Sequence, residues 1–236
     1  MEKDEHNPYN HIIFTGDLIH GDIWSDEDYS LEILDLVREY IEYPNFHILL
    51  GNHELSQIYE EDCYKYFINQ TEEFKKMVEK KYPNNPHKYY EYQELMMRFE
   101  TYCVTSNGVF IIHSGIHEDY IEPLITDSVD LNNILWDNKY EQKILTEHLW
   151  SRPYDDFTEK SIDKILEYYA CKYMVTGHTN YNGCHIIGNQ LIFDSSYCTD
   201  NKYYLEFNTH EEFKDIINLM QHLKIKNNMS EDKKGL

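Results

Sequence analysis

Positive charge is scarce in this 236-residue sequence: 21 Lys and Arg stand against 43 Asp and Glu, a formal net charge of −22 at pH 7. That balance argues against nonspecific association with nucleic acid or with an anionic membrane surface. Long apolar runs are missing too, and no stretch approaches the ~18 residues of a membrane span. The opening MEKDEHNPYN is polar and acidic, so it does not read as a secretory signal. Cysteine is sparse and unpatterned: Cys63, Cys103, Cys171, Cys184 and Cys198 are odd in number and lack C-x-x-C spacing. Free thiols in a reducing cytoplasm are the expectation. There is no internal repeat and no Gly/Ser-rich or Pro-rich linker, and the length lies below the ~250 residues at which single cores split. One domain over residues 1–223 is expected, followed by a polar, disordered tail over 224–236. The 22 tyrosines read as a compositional bias rather than a site.

Apolar periodicity supplies the elements. His11 to Thr15 (HIIFT) reads as a short buried strand ending at Gly16-Asp17. Leu31, Leu34, Leu36-Val37 and Ile41 mark a helix over 28–43, stopped by Pro44. Phe46 to Leu50 is a second strand, ending at Gly51-Asn52. A long helix is expected over 56–81, closed by the PNNP turn at 83–86, and another over 91–105. Gly108 to His113 and Lys172 to Thr176 read as strands, with a helix over 161–169 between them. Residues 185–187, 190–193 and 203–207 form a closing antiparallel meander.

Each of four apolar strands ends in Gly or Ser-Gly beside a residue able to bind metal: Gly16-Asp17, Gly51-Asn52-His53-Glu54, His113-Ser114-Gly115 and Gly177-His178-Thr179. In layered α/β sheets, ligands bind outside the carboxyl ends of strands, so four distant ends can share one site. Taken singly, these residues are ordinary turn formers or satisfied polar groups. Their order and common context outweigh that reading. Together they resemble the signature blocks of calcineurin-like metallophosphoesterases, nearest to the serine/threonine phosphoprotein phosphatase branch, over about Phe14 to Phe193. The resemblance implies an α/β fold, a four-layer α/β/β/α sandwich, with a helical insertion between Ser56 and Thr105 beside the site.

The resemblance also implies a ligand set for divalent metal: Asp17, Asn52, His113 and His178, with Mn, Fe or Zn suited to mixed oxygen and imidazole donors. Two ions in such a site clamp an in-line phosphoryl displacement, with metal-bound hydroxide as nucleophile. Asp17 matches the bridging and catalytic aspartate, and His53 the histidine that protonates the leaving oxygen. Asn52 and Arg152 are assigned to the substrate phosphate, since a guanidinium pairs bidentately with phosphate oxygens. Local cations of this kind are needed because the global field repels an anion. Glu54 is expected to orient its neighbours. His117, His20 and His148 are expected in surface or supporting roles. Tyr89-Tyr90-Glu91-Tyr92 is expected to pack a helical cap.

Two departures from the family pattern bear on activity. The opening D-x-H motif lacks its own strand: Asp4-Glu5-His6 has the letters but sits too near Asp17 for an intervening βα unit of about 30 residues. The first βα unit is therefore expected to be missing, leaving one ion where the family holds two. Second, His20 stands where an acid orienting the catalytic histidine is expected, and Gly21 where a second arginine is expected. Asp22 is a candidate replacement for that acid. The leading functional expectation is hydrolysis of phosphoserine or phosphothreonine in proteins. The alternatives are a dinucleoside tetraphosphatase or other small-molecule phosphoesterase, and a phosphatase-like binding protein of weak or no activity. The oligomeric state is left open.

Overall fold

The computed structural model describes residues 10–21, 28–194 and 201–227. The first elements among the described residues form a βαβ unit: β1 (Ile12–Phe14), α1 (Ser30–Tyr40) and β2 (Phe46–Ile48). β1 and β2 pair in parallel, with Ile13 opposite His47. α1 buries Leu31, Leu34 and Val37 on one face, at the three-residue spacing of an amphipathic helix. Beyond β2, the backbone of Leu50 and Ile48 bonds to both sides of Glu100, tying this unit to the strand that follows Glu100.

The insertion comes next: α2 (Asn52–Tyr59), a hairpin of β3 (Tyr64–Lys65) and β4 (Ile68–Asn69), then α3 (Gln70–Lys81) and α4 (Lys88–Met96). The single helix expected over 56–81 is thus two helices. The hairpin interrupts them, and Asn69 caps α3 by accepting from the Glu72 N–H. The helix expected over 91–105 stops at Met96. Glu100 is drawn into pairing with Leu49, and β5 (Tyr102–Val104) pairs with β6 (Val109–Ile112). Sheet pairing there overrides the helical spacing. Tyr89 and Tyr92 are buried in the insertion, as packing residues, and Tyr90 is exposed.

The second half supplies α5 (Glu118–Thr126), a 3₁₀ turn (Leu131–Asn133), α6 (Lys139–Trp150), α7 (Glu159–Tyr168), β7 (Tyr173–Thr176), β8 (Cys184–Ile187), β9 (Gln190–Phe193), β10 (Asn201–Leu205), α8 (Ile216–Met220) and β11 (Leu223–Asn227). The main sheet runs β5-β6-β7-β9-β8, parallel at β6–β7 and β7–β9. Alternate residues face opposite sides, as strand geometry requires. Phe110, Ile112, Met174 and Ile192 join the core under the helices. Val109, Ile111, Tyr173, Val175 and Leu191 join a second core with Phe213, Ile216, Leu219 and Leu205, contributed by α8, the segment before it and β10. Full burial of side chains of this size contributes about 1.5–3 kcal/mol each.

The expected tail boundary at 224 is corrected: Leu223–Asn227 is β11, antiparallel to β10, because its alternating Leu, Ile and Lys suit an edge hairpin. Asp4, Glu5, His6, Asp22, Cys198 and residues 228–236 lie outside the described residues. Among the described residues, no helix is long and apolar enough to cross a membrane.

Candidate metal centre

Three strand ends and one helix start build the site. Gly16 follows β1 with φ 89°, and Asp17 follows it with φ 55°. A Cβ on Gly16 would lie 2.7 Å from the Gly51 nitrogen and 2.8 Å from His113 Nδ1. At Gly51 a Cβ would fall 2.3 Å from Asp17 Oδ1. The two loops close this tightly only because both positions are glycine. α2 starts at Asn52, so the first helical N–H groups face Asp17; the His53 N–H donates to Asp17 Oδ1 at 3.2 Å. An anionic side chain is favoured at a helix N-terminus. His113 follows β6, His178 follows β7 with φ 59°, and the Gly177 N–H donates to the His113 carbonyl at 3.0 Å, stitching those two ends together.

Four lone-pair atoms converge here. His113 Nε2 lies 3.0 Å from Asn52 Oδ1, 3.1 Å from His178 Nδ1 and 3.5 Å from Asp17 Oδ1. His178 Nδ1 lies 3.0 Å from Asn52 Oδ1. The His113 Nδ1–H donates to the Thr15 carbonyl at 2.6 Å, which leaves Nε2 as the bare nitrogen turned inward. Reversing the Asn52 amide would set its nitrogen 3.0–3.3 Å from four acceptors. Its two hydrogens could answer only half of them. Acceptors held about 3 Å apart repel one another unless a cation stands among them. Such spacing suits donors lying about 2.1 Å from one ion. The residues present therefore fit a divalent metal.

Electrostatics agree with that chemistry. Burial would raise the Asp17 carboxyl, but the facing His113, His53 and His178 outweigh it and hold the group below its ordinary value. Burial, and then His113, push His178 down to about 3, so it is neutral, the form that ligates. Asp17, His113 and His178 form one of the donor clusters among the described residues; His20, His53 and Cys63 form another beside it.

Glu54 is wholly buried, and its carboxylate accepts backbone N–H groups from Asp17 (2.9 Å), Leu18 (2.6 Å), Ile19 (3.3 Å) and Gly51 (3.0 Å). It shapes the loop that presents Asp17. Arg152 follows α6 in an exposed position, its backbone N–H donating to Asp156 at 2.7 Å. Its charge lowers the affinity of His53 and of His178 for protons. Arg38 pairs with Glu91 and Arg98 with Glu42, whereas Arg152 makes no ion pair among the described residues. A guanidinium near the donor cluster and not spent on a carboxylate is suited to an anion.

The structure thus brings Asp17, Asn52, His53, His113 and His178 together, with Arg152 close by. It also shows residues that sequence reasoning passed over. Thr15 orients His113 through its carbonyl, a contact with no side-chain signal. Lys65, on the hairpin, adds positive charge felt by His20 and His53. Gln57 stands one helical turn after His53 and touches His20. Drawing α2 from Asn52 instead of Ser56 would have placed His53 and Gln57 on one face. Of the three further histidines, His20 is buried against His53, His117 caps α5 and pairs with Asp156, and His148 is fully buried.

A family model for calcineurin-like phosphoesterases matches residues 2–182. No match appears among curated proteins. Among solved structures the chain is similar to a serine/threonine phosphatase from Saccharomyces cerevisiae, itself similar to human phosphatase PP5, with TM-score 0.58 and 16% identity over 92% of this chain and 69% of that one. It is also similar to a cold-active protein tyrosine phosphatase (TM-score 0.55, 20% identity, 80% of this chain and 60% of that one). The cold-active enzyme of a psychrophilic Shewanella species gives TM-score 0.54 at 20% identity, over 80% of this chain and 61% of that one. The chain spans 60% of the length of the first of these tyrosine phosphatases. At such identities the likeness shows a shared fold.

Proposed function

Because this chain belongs to the calcineurin-like phosphoesterase family, we propose that it is a metal-dependent phosphomonoesterase acting on a phosphorylated protein side chain. The carrying observation is the inward convergence of Asp17, Asn52, His113 and His178, four acceptors that a divalent cation reconciles. Asp17, Asn52, His113 and His178 would hold the ion, with Mn, Fe or Zn suited to this donor set. When bound, the ion supplies Lewis acidity toward a phosphoryl group.

The chain's own residues do the rest. Asn52 gives its carbonyl oxygen to the ion and keeps its amide hydrogens for a phosphoryl oxygen. Arg152 supplies a planar donor pair to the remaining phosphoryl oxygens, offsetting locally the repulsion of a −22 protein. His53, beside Asp17 and within the field of Arg152, presents its outer ring nitrogen to the leaving oxygen. Glu54 holds the Asp17 loop so that the carboxylate needs little reorganisation. A cytoplasmic location accords with free thiols at Cys63, Cys103, Cys171 and Cys184.

The test is hydrolysis of p-nitrophenyl phosphate with added manganese, alongside metal analysis. Activity should be metal-dependent, and His113→Ala and His178→Ala should lower both bound metal and rate, the latter at least ~100-fold. Metal-independent turnover, or full activity in both variants, would overturn the reading.

A further inference from the structure

Behind His53 lies a chain of polar side chains whose proton positions can be worked out from its far end. The Tyr89 hydroxyl donates to Gln57 Oε1 at 2.9 Å. Gln57 Nε2 then faces the other way, 3.4 Å from the Thr71 carbonyl and 2.6 Å from His20 Nε2. A carbonyl oxygen only accepts and an amide nitrogen only donates. Both contacts of Gln57 Nε2 are therefore donations, and His20 Nε2 is the nitrogen without hydrogen. Burial keeps His20 neutral, pushing it down to about 3, so it carries one N–H. That hydrogen sits on Nδ1, which lies 2.9 Å from His53 Nδ1. His53 Nδ1 must accept it, and His53 keeps its own hydrogen on Nε2. The His20 ring is held in place from behind: its backbone, at φ 62°, donates to Ser30 Oγ at 2.9 Å.

Resting on the phosphoesterase reading, we propose that His20, Gln57 and Tyr89 are positioning residues that hold His53 as a neutral Nε2–H hydrogen-bond donor, and that the enzyme therefore favours aryl phosphates over alkyl phosphates. A carboxylate in the place of His20 would accept from His53 and favour its imidazolium form, which can hand a proton to a departing alkoxide. The His20 N–H does the opposite, because it donates to His53. A neutral imidazole has no proton to give without becoming an anion, so it only stabilises charge on the leaving oxygen. For an aryl ester that suffices. A water oxygen forms the new bond to phosphorus, the bond to the phenolic oxygen breaks, and its electron pair departs on phenolate, with the hydrogen staying on His53 Nε2. The attacking water releases a proton to solvent, and the phenolate, with a pKa near ~10 for tyrosine, takes one from it. Alkoxides of serine and threonine are far more basic and leave poorly without a donated proton. The preference thus runs opposite to the serine and threonine substrates that the sequence resemblance implies.

Two measurements test this independently. Nitrogen-15 NMR of the zinc-loaded full chain reads the histidine tautomers directly. His53 should carry hydrogen on Nε2 and His20 on Nδ1, and His20→Asp should move the His53 hydrogen to Nδ1. Gln57→Ala, which removes only the donation to His20, should mix the His20 tautomers and serves if His20→Asp fails to fold. Kinetics read the consequence. Wild-type kcat/KM should be at least ~100-fold higher for p-nitrophenyl phosphate than for a phosphoserine peptide, the scale of a missing general acid. His20→Asp should narrow that gap at least tenfold through kcat, with KM little changed. A His53 hydrogen on Nδ1 in the wild type, equal turnover of the two esters, or zinc bound among His20, His53 and Cys63 would each overturn the proposal. If no phosphoester is turned over with any divalent metal, the phosphoesterase reading fails, while the NMR result still decides the proton arrangement.

Discussion

The Glu54 carboxylate accepts the backbone N–H of Leu18 at 2.6 Å, across 36 residues of chain. One side chain at the start of α2 thereby dictates the path of the loop after β1, and with it the aim of Asp17. Burial, and then the Asp17 charge, push Glu54 up to about 7, against the pull of the N–H groups that it accepts. Glu54→Gln would turn an amide N–H₂ toward backbone N–H groups. We expect a loss of about 1–3 kcal/mol in stability from the stranded donors. Metal affinity should fall ~10–100-fold, as for other supports of ligating residues. Urea unfolding and metal titration check both; unchanged affinity would separate Glu54 from the site.

Arg152 allows a cleaner separation of function from folding. Its side chain is exposed and makes no ion pair among the described residues. Arg152→Ala should shift stability by no more than ~0.5 kcal/mol. The loss of a preorganised donor should lower kcat/KM by ~10²–10³ and weaken inhibition by inorganic phosphate. Arg152→Lys should recover only part, lacking the planar pair of donors. Normal phosphate inhibition in Arg152→Ala would remove this residue from the substrate site.

His148 makes no contact with the ligand candidates among the described hydrogen bonds and ion pairs, and it should govern acid stability. It is fully buried in α6, and both ring nitrogens lack a partner among the described residues. Burial, and then His117, push it down to about 3 from an ordinary 6.5. Between those values the unfolded chain binds a proton there that the folded chain does not, so stability falls as pH drops below about 6.5. The contribution is about 1.4 kcal/mol per pH unit, ending near pH 3, where the folded form also protonates. His148→Leu should remove this slope while leaving stability above pH 7 similar or improved. Chemical denaturation at several pH values reads the difference, and identical slopes would show that His148 is not buried neutral.

The ligand candidates were legible in the sequence because each follows an apolar run by no more than three residues. Asp17, Asn52, His113 and His178 sit where strands end, and strand ends of a layered sheet gather at one edge. His53 came with Asn52. The insertion was legible only in part. Residues 56–81 carry helical spacing on both sides of the β3–β4 hairpin, and a turn of two residues is too brief to disturb an apolar pattern. Residues 100–104 pair as sheet because Leu49 and β6 present open backbone groups to them, which no local pattern encodes. β11 was lost to its lysines, which suit an exposed edge as well as a tail.

From its order of residues alone, this protein was bound to carry oxygen and imidazole donors at the ends of apolar strands, to bear a net charge of −22, and to resemble one family of phosphoesterases. Tertiary structure alone decided which nitrogen of His113 and of His20 is bare, because a tautomer depends on what stands across from the ring. Thr15 is 98 residues from His113, and Gln57 is 37 from His20. Hydrogen-bond direction belongs to pairs of groups in space, and a linear chain specifies only one member at a time.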